Sequence, residues 1–354
     1  MITGYIAGQN IKRLMKLISG FGDKKILVLG DLILDEYVWG NVERISPEAP
    51  VPILAAQKRE CKPGGAANVA SNIASLGGKV YLAGVVGEDE TAGLLISELK
   101  KRNINTDSVR RVKDRRTTVK TRIITQRQQL VRIDWEDVDP ISKSPSNDFI
   151  AFADSKLKEI DAIIIEDYGK GVVTPEILAG IVKLKKKKKN LIVSVDPKYD
   201  HFDYYKNVTV ITPNRQEAEN AIRYIKIKEN SLPGIKYDKL STPQDIEFAG
   251  TSLQRHLALD ALLITLGEHG MMLFERGKKA VHIPTVAQEV FDVSGAGDTV
   301  IATFTMALAC SASALEAAHI ANCAAGIVVG KAGVAVNTQK DLIGRIKLEM
   351  KTSV

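Results

Sequence analysis

Residues 162–198 read AIIIEDYGKGVVTPEILAGIVKLKKKKKNLIVSVDPK. Two short apolar segments, 162–166 and 191–196, have the length of buried strands, and residues 175–186 between them carry helical periodicity. Strands that alternate with helices in this way form a parallel sheet covered on both faces. This stretch therefore predicts an α/β fold.

The same alternation continues on both sides of this stretch. We predict further strands at 26–30, 80–86, 208–212 and 261–265, and helices at 66–76, 91–101, 215–224, 243–257, 296–310, 314–329 and 339–350. Together these elements predict a doubly wound, mostly parallel sheet.

Three segments depart from this rhythm. Residues 36–56 and 117–135 alternate apolar with polar side chains, which predicts antiparallel strands of a small β-rich lid. Residues 1–22 predict an appended helix that packs on the body or a partner subunit, or lies on a membrane surface. The main domain would cover 23–350. Residues 225–241 read as a surface insertion.

Composition and charge exclude several classes of protein. The net charge is +7, but the run Lys185–Lys189 supplies a good part of the excess at a predicted helix end, where cations suit the helix dipole and project into water. Aromatic residues make up 5% and do not interleave with basic ones, so we predict no nucleic-acid binding. Three scattered cysteines and no long apolar run predict a cytoplasmic protein without membrane binding.

Polar residues follow five of the six predicted parallel strands at their carboxyl ends. These endings are Gly30-Asp31, Glu166-Asp167-Tyr168, Asp196-Pro197-Lys198, Thr212-Pro213-Asn214 and Thr265-Leu266-Gly267. Ligands of doubly wound sheets bind beyond that edge. The sequence therefore predicts one polar cleft.

Residues 292–299, DVSGAGDT, lead into a predicted helix. The amides of Gly295, Ala296 and Gly297 would meet the positive end of the helix dipole, which predicts an anion hole. Asp298 would then take a hydroxyl proton during phosphoryl transfer, or it simply stabilises the helix start.

Residues 62–68, KPGGAAN, precede another predicted helix. Gly64 and Gly65 permit close approach of the backbone to a ligand, and the amide of Asn68 suits a polyhydroxylated molecule. The alternative is a helix start that needs only small residues.

These two motifs resemble the signatures of the ribokinase-like (PfkB) carbohydrate kinases, over residues 25–345. Five segments resemble in particular the heptose 7-phosphate kinases of the ADP-heptose pathway: 28–37 (VLGDLILDEY), 44–52 (RISPEAPVP), 63–70 (PGGAANVA), 72–77 (NIASLG) and 128–134 (QQLVRID). The resemblance implies phosphorylation of the anomeric hydroxyl of D-glycero-D-manno-heptose 7-phosphate by ATP and Mg²⁺, for lipopolysaccharide core synthesis. No His-x-Gly-His motif occurs, so it also implies a separate adenylyltransferase.

The resemblance implies roles for single residues. Asp298 matches the catalytic base, and Gly295, Ala296 and Gly297 match the anion hole. The sugar-binding positions are Asp31, Asp35, Gly64, Gly65 and Asn68, and the nucleotide-binding positions are Asn214, Glu217, Thr265, Gly267, Gly270 and Asn322, with Glu217 holding Mg²⁺ through water. Asp292 with Ser294 resembles a monovalent-cation loop, which implies K⁺.

A sugar that already carries a phosphate needs a cationic anchor. Our candidates, in falling order, are Lys198, Arg122, Arg132 and Arg44, and the arginines could equally form surface or dimer salt bridges. Lids of this family often pair between subunits, which implies a homodimer. A kinase of another sugar or a nucleoside, and an inactive kinase-fold binding protein, stay open as alternatives.

Overall fold

The computed structural model describes residues 8–125, 128–229, 239–287, 289–331 and 333–352. Its helices are α1 (Gly8–Ser19), α2 (Ala66–Ser75), α3 (Glu90–Lys101), α4 (Lys143–Lys156), α5 (Pro175–Lys187), α6 (Arg215–Glu229), α7 (Pro243–His256), α8 (Ala296–Ala309), α9 (Ala314–Val328) and α10 (Gln339–Thr352). Its strands are β1 (Lys25–Gly30), β2 (Leu32–Ile45), β3 (Pro52–Gly65), β4 (Lys79–Gly87), β5 (Asn105–Val112), β6 (Thr118–Thr125), β7 (Gln128–Trp135), β8 (Ala162–Glu166), β9 (Ile192–Asp196), β10 (Val210–Ile211), β11 (Ala261–Thr265), β12 (Met271–Glu275) and β13 (Val281–Ile283).

The strands of the main sheet run in the order β13-β12-β11-β10-β9-β8-β1-β4-β5. Seven of them, from β11 to β5 in this order, are parallel, and β12 and β13 continue the sheet in antiparallel fashion. Apolar layers cover both faces: α2, α8 and α9 pack on one face, and α5, α6 and α7 on the other. The predicted doubly wound α/β fold is confirmed.

The structure adds four elements to those predicted. Edge strand β5 is only partly buried, and helix α4 buries just Ser146, Phe149 and Ala153, so neither carries a clear periodic pattern. Strands β12 and β13 form antiparallel pairs after the tight turn that follows β11. The short apolar sequences of β12 and β13 do not by themselves indicate whether each strand runs parallel or antiparallel to its neighbour.

The predicted lid is a separate sheet with the strand order β3-β2-β6-β7. Its hairpins β2–β3 and β6–β7 are antiparallel, but β2 and β6 run parallel. The prediction of purely antiparallel strands is therefore wrong at the centre of the lid, because the long connection between β3 and β6 lets the chain return in the same direction. Strand β2 begins two residues after β1 ends, so the lid projects directly from the carboxyl edge of the main sheet.

Helix α1 buries Ile11, Leu14 and Ile18 and lies against α10, so it packs on the body of the protein. Residues 1–7 of the predicted N-terminal helix lie outside the described residues. Of the predicted insertion, 225–229 form the end of α6, and 230–238 also lie outside them.

The lysine run at the end of α5 is bonded more extensively than its sequence indicates. Lys185 is 19% exposed and pairs with Asp260, and Lys188 donates to the carbonyls of Leu157 and Ile160. The prediction that this run projects into water is thus wrong for these two lysines, because neighbouring loops offer acceptors close by. Among the described helices, none has the length and apolarity needed to cross a membrane.

Candidate active site

The five strand ends lie along one carboxyl edge of the main sheet. Gly30 on β1 pairs with Glu166 on β8, and Glu166 pairs with Asp196 on β9. Further along the edge, Asn214 forms an isolated bridge with Thr265. Since parallel strands share this edge, the polar endings line up along it, as predicted, while the cleft itself stays a prediction.

Helix α8 opens beside this edge. Its N-cap, Gly295, has φ +77°, a left-handed conformation that glycine adopts without strain. A Cβ there would lie 2.9 Å from Asn68 Nδ2. The Ala296 amide donates to Val293 O, whereas the amides of Gly295 and Gly297 have no acceptor among the described residues. These two amides remain for an anionic ligand at the helix dipole.

Asp298 lies in the first turn of α8 and is 4% exposed. Its carboxylate accepts from two elements: Asn68 Nδ2 lies 2.5 Å from Oδ2, and Tyr168 Oη lies 3.1 Å from Oδ1. Burial raises the pKa of Asp298 to about 6, although both hydrogen bonds lower it. The carboxylate is therefore ionised at neutral pH, yet more basic than an exposed aspartate.

The lid brings Asp35 to the same place. Asp35 lies on β2, and its negative charge contributes to the raised pKa of Asp298. Arg122 Nη1 on β6 donates to Asp35 Oδ1 at 2.6 Å. A Cβ on Gly64 would lie 2.3 Å from Asp35 Oδ2, so a larger residue here would displace the Asp35 carboxylate. Gly65, with φ +55°, then turns the chain into α2.

Asp31 does not open into the cleft. It is fully buried, and its carboxylate accepts the backbone amides of Tyr168, Lys170 and Val172 at 2.9, 3.0 and 3.1 Å. Burial and the charge of Asp167 raise the pKa of Asp31 to about 6 against these three bonds. The structure thus uses Asp31 to shape the loop between β8 and α5, and it does not bring this predicted sugar ligand to the cleft surface.

Three carboxylates converge below the start of α8. Ligand atoms of Glu166, Asp196 and Asp298 all lie within 4.8 Å of one another. Glu166 is fully buried, and its carboxyl group lies against that of Asp196, with no other partner among the described residues. Burial and then the charge of Asp196 hold the pKa of Glu166 well above its usual range. Because Mg²⁺ prefers carboxylate oxygens, this donor set fits a divalent cation.

Asn214 and Glu217 bind each other at the start of α6. Glu217 Oε2 accepts a hydrogen bond from the backbone amide of Asn214 at 2.8 Å. Asn214 Oδ1 accepts one from the backbone amide of Glu217 at 2.9 Å. Burial raises the pKa of Glu217, whereas the positive charge of Lys198 lowers it. The charge of Glu217 in turn raises the pKa of Asp196. This pair and Lys198 thus lie beside the carboxylate cluster.

The predicted nucleotide-binding turn joins β11 to β12. Thr265 ends β11, and Gly267 and Gly270 follow with φ values of +60° and +87°. A Cβ on Gly270 would lie 2.1 Å from Ile283 O, so only glycine fits. Asn322 is 4% exposed, and its amide donates to Pro284 O at 2.7 Å. Asn322 therefore fixes the chain after β13.

The remaining predicted site residues are Arg132, Arg44 and Asp292. Arg132 is half exposed and bonds to Asp134 within β7, and Arg44 is exposed near the end of β2. Asp292 Oδ1 and Oδ2 accept the amides of Ser294 and Gly333 at 2.9 and 3.0 Å. Arg132 pairs with Arg122 in the strand register and so lies on the same face of the lid, but it bonds to Asp134 rather than to Asp35.

Comparison with known proteins assigns this architecture to a family. The profile described as pfkB family carbohydrate kinase matches residues 23–341. The chain belongs to the PfkB family of carbohydrate kinases. This membership confirms, at the level of the family, the predicted ATP-dependent carbohydrate kinase.

Similar PfkB sequences come from bacteria. The protein named Bifunctional protein HldE of Helicobacter pylori strain J99 is 44% identical over 319 residues, which cover 90% of this chain and 65% of that protein. The protein of the same name from Geobacter metallireducens is 41% identical over 342 residues, or 97% and 67% of the two chains. The chain thus spans about two thirds of the length of these relatives.

Solved PfkB-like structures show the same fold. The structure titled Arabidopsis thaliana ribokinase complexed with ribose and ATP has a TM-score of 0.69 and 21% identity, covering 92% of this chain and 99% of that one. Escherichia coli phosphofructokinase-2 in complex with substrates and products has a TM-score of 0.71 and 18% identity, with the same coverage. The predicted ribokinase-like fold is confirmed.

Sequence reasoning assigned no individual role to Glu166, Asp196 or Tyr168. It placed all three at the carboxyl ends of strands, and this position was the signal that could have identified them as site residues. Only the tertiary structure shows that Tyr168 reaches Asp298 and that the carboxyl groups of Glu166 and Asp196 meet.

Proposed function

We propose that this PfkB kinase transfers the γ-phosphoryl group of ATP to the anomeric hydroxyl of D-glycero-D-manno-heptose 7-phosphate. The product, the 1,7-bisphosphate, would serve ADP-heptose and lipopolysaccharide core synthesis. The observation that carries the proposal is the position of Asp298, between the free amides of Gly295 and Gly297 and the sugar-side residues Asp35 and Asn68. The heptose assignment rests on the similarity to proteins named HldE.

The proposed chemistry is a single displacement. The Asp298 carboxylate accepts the proton of the sugar hydroxyl, and the sugar oxygen bonds to the γ-phosphorus while the bond to the β,γ-bridging oxygen breaks and ADP leaves. The amides of Gly295 and Gly297 donate to the transferred group as its charge is redistributed. A pKa near 6 leaves Asp298 largely ionised at neutral pH and able to take a proton.

The carboxylate cluster suits a metal–nucleotide complex. Mg²⁺, when bound, would neutralise charge on the β- and γ-phosphates. Glu166 and Asp196 would hold it, with Glu217 acting through water, while Asp298 stays available for the proton. A K⁺ requirement through Asp292 stays a prediction, as does a separate adenylyltransferase.

Arg122 is the best-placed anchor for the 7-phosphate. It reaches the cleft from the lid beside Asp35, and only its Nη1 donates to described residues, so Nη2 and Nε are left for a phosphate. The positive charge of Lys198 instead lowers the pKa of Glu217, so we place Lys198 on the nucleotide side. A cavity of about 660 Å³, lined by Tyr37 and Lys62 among others, opens under the same face of the lid and is large enough for the distal part of the sugar.

The outer face of the lid supports the proposed homodimer. Strand β7 is exposed along its whole length, and Val131, Ile133 and Trp135 are 49%, 41% and 52% exposed. The strand register places these three on the face opposite Arg122. A second copy of the lid would cover this apolar face and the edge of β7.

The decisive experiment compares sugars with and without a terminal phosphate as acceptors for ATP. We expect D-glycero-D-manno-heptose 7-phosphate to give the highest kcat/KM, with the new phosphate at C1 by ³¹P and ¹³C NMR. Faster turnover of an unphosphorylated hexose, pentose or nucleoside would refute the proposed substrate and favour the alternative of a kinase for another sugar.

A further inference from the structure

The carboxylate of Asp298 is held by two hydrogen bonds from opposite sides. Asn68 reaches Oδ2 from α2, and the Tyr168 hydroxyl reaches Oδ1 from the loop after β8. Asn68 already belongs to the sugar-binding motif. Tyr168 has no role in the proposed reaction, although its hydroxyl ends on the group that takes the proton.

The loop that carries Tyr168 is itself firmly fixed. Asp31 binds three of its amides, from Tyr168, Lys170 and Val172, and no part of Asp31 is exposed. Gly169 and Gly171 supply the positive φ values, +66° and +83°, that let the chain wrap around this carboxylate. Tyr168 is therefore held in place independently of any ligand.

The surroundings of Asp298 make such support necessary. Glu166 and Asp196 crowd it within 4.8 Å, and Asp35 adds a negative charge from the lid. Repulsion by Asp35 favours rotation of the Asp298 carboxylate away from the lid. One bond, to Asn68, leaves rotation about that contact free, whereas two bonds on different oxygens fix the plane of the carboxylate.

We propose that Tyr168 is a positioning residue of this kinase, whose hydroxyl orients the Asp298 carboxylate toward the acceptor alcohol. The inference rests on the proposed role of Asp298 as base. The Tyr168 hydroxyl lies 3.1 Å from Asp298 Oδ1 and donates to it, on the oxygen that Asn68 leaves free. A small misplacement of a reacting group is enough to slow catalysis strongly.

The test is Tyr168→Phe, assayed by steady-state kinetics with the sugar that the wild-type enzyme turns over best. We expect kcat to fall by about 10- to 100-fold, with KM for sugar and ATP changed less than about twofold. The matched control is Tyr81→Phe, which also removes a tyrosine hydroxyl that donates to a carboxylate, that of Glu159 at 3.0 Å. Glu159 keeps Lys25 and Lys156 as partners, so we expect an unchanged kcat.

A double-mutant cycle separates positioning from a merely structural effect. If Tyr168 acts through Asp298, Tyr168→Phe will lower kcat less than about twofold in an Asp298→Asn background. A full further loss in that background would overturn the inference, as would an unchanged kcat in the single variant. So would a raised sugar KM at constant kcat, since Tyr168 would then contact the sugar. If the best acceptor is not a heptose phosphate, the proposed substrate fails while this test still applies.

Discussion

The side-chain amide of Asn68 donates to Asp298 Oδ2 across 2.5 Å, joining two residues that lie 230 positions apart. Asn68 lies in the first turn of α2, and Asp298 lies in the first turn of α8. The bond therefore brings the starts of two helices together at the carboxyl edge of the sheet. It also holds a predicted sugar-binding amide against the buried carboxylate that we propose as the base.

Replacing Asp298 with asparagine should abolish most of the turnover. The asparagine side chain has nearly the same size as aspartate but cannot accept a proton, so we expect kcat to fall at least ~10²-fold. The measurement is coupled-assay kinetics, with KM values to show that both substrates still bind. A variant with wild-type kcat would exclude Asp298 as the base.

The pKa of Asp298 predicts the acid side of the pH profile. Because burial raises this pKa to about 6, the base is protonated below that value, and kcat/KM should fall about tenfold per pH unit there. The same shift makes the folded state hold the proton more tightly than the unfolded state, so the contribution of Asp298 to stability falls as pH rises from about 4 to 6. The Tm of Asp298→Asn minus the Tm of the wild type should accordingly be larger at pH 8 than at pH 4. An equal difference at both values would contradict the raised pKa.

Alanine at Gly64 should damage sugar binding. Its Cβ would lie 2.3 Å from Asp35 Oδ2, so the carboxylate or the backbone must move. We expect the sugar KM to rise at least ~10-fold while the KM for ATP changes little. Gly93→Ala is the control, because a Cβ there meets nothing within 4 Å and alanine favours the helix interior. If both variants keep a wild-type sugar KM, Gly64 does not define the position of Asp35.

Removing the charge of Arg122 should reduce the preference for phosphorylated sugars. We expect Arg122→Met to lower kcat/KM for the sugar phosphate roughly 10²-fold more than for the same sugar without its phosphate. Arg132→Met is the matched control on the neighbouring strand, since Arg132 is half exposed and bonds to Asp134. Equal losses with both acceptors would mean that Arg122 serves only to hold Asp35.

A charge on the outer face of the lid should weaken the proposed dimer. Ile133→Lys adds a cation to the apolar face of β7, and we expect sedimentation velocity to show a shift toward the monomer. Leu348→Lys, at a residue of α10 that is 44% exposed, controls for the change in surface charge. A wild-type protein that sediments as a monomer at micromolar concentration would refute the dimer.

Much of the cleft follows from local signals in the sequence. The strands at 162–166 and 261–265 occur with the predicted bounds, because runs of buried apolar residues define them sharply. Gly64 and Gly295 were singled out as glycines, and the structure gives the steric reason in Asp35 and Asn68. The role of Asp31 could not be assigned in this way. The three backbone amides that donate to its carboxylate belong to a loop more than 130 residues further along the chain.

The sequence by itself determined the alternation of strands and helices, the polar residues at the strand ends and the two glycine-rich helix starts, since these depend on near neighbours in the chain. Only the tertiary structure decided which polar groups meet. Arg122 and Arg132 lie opposite each other on adjacent strands and on the same face of the lid, yet one bonds to Asp35 and the other to Asp134, which also binds Lys120. Which partner each arginine has depends on how the lid is placed over the sheet, and that placement is set by long-range packing rather than by local sequence.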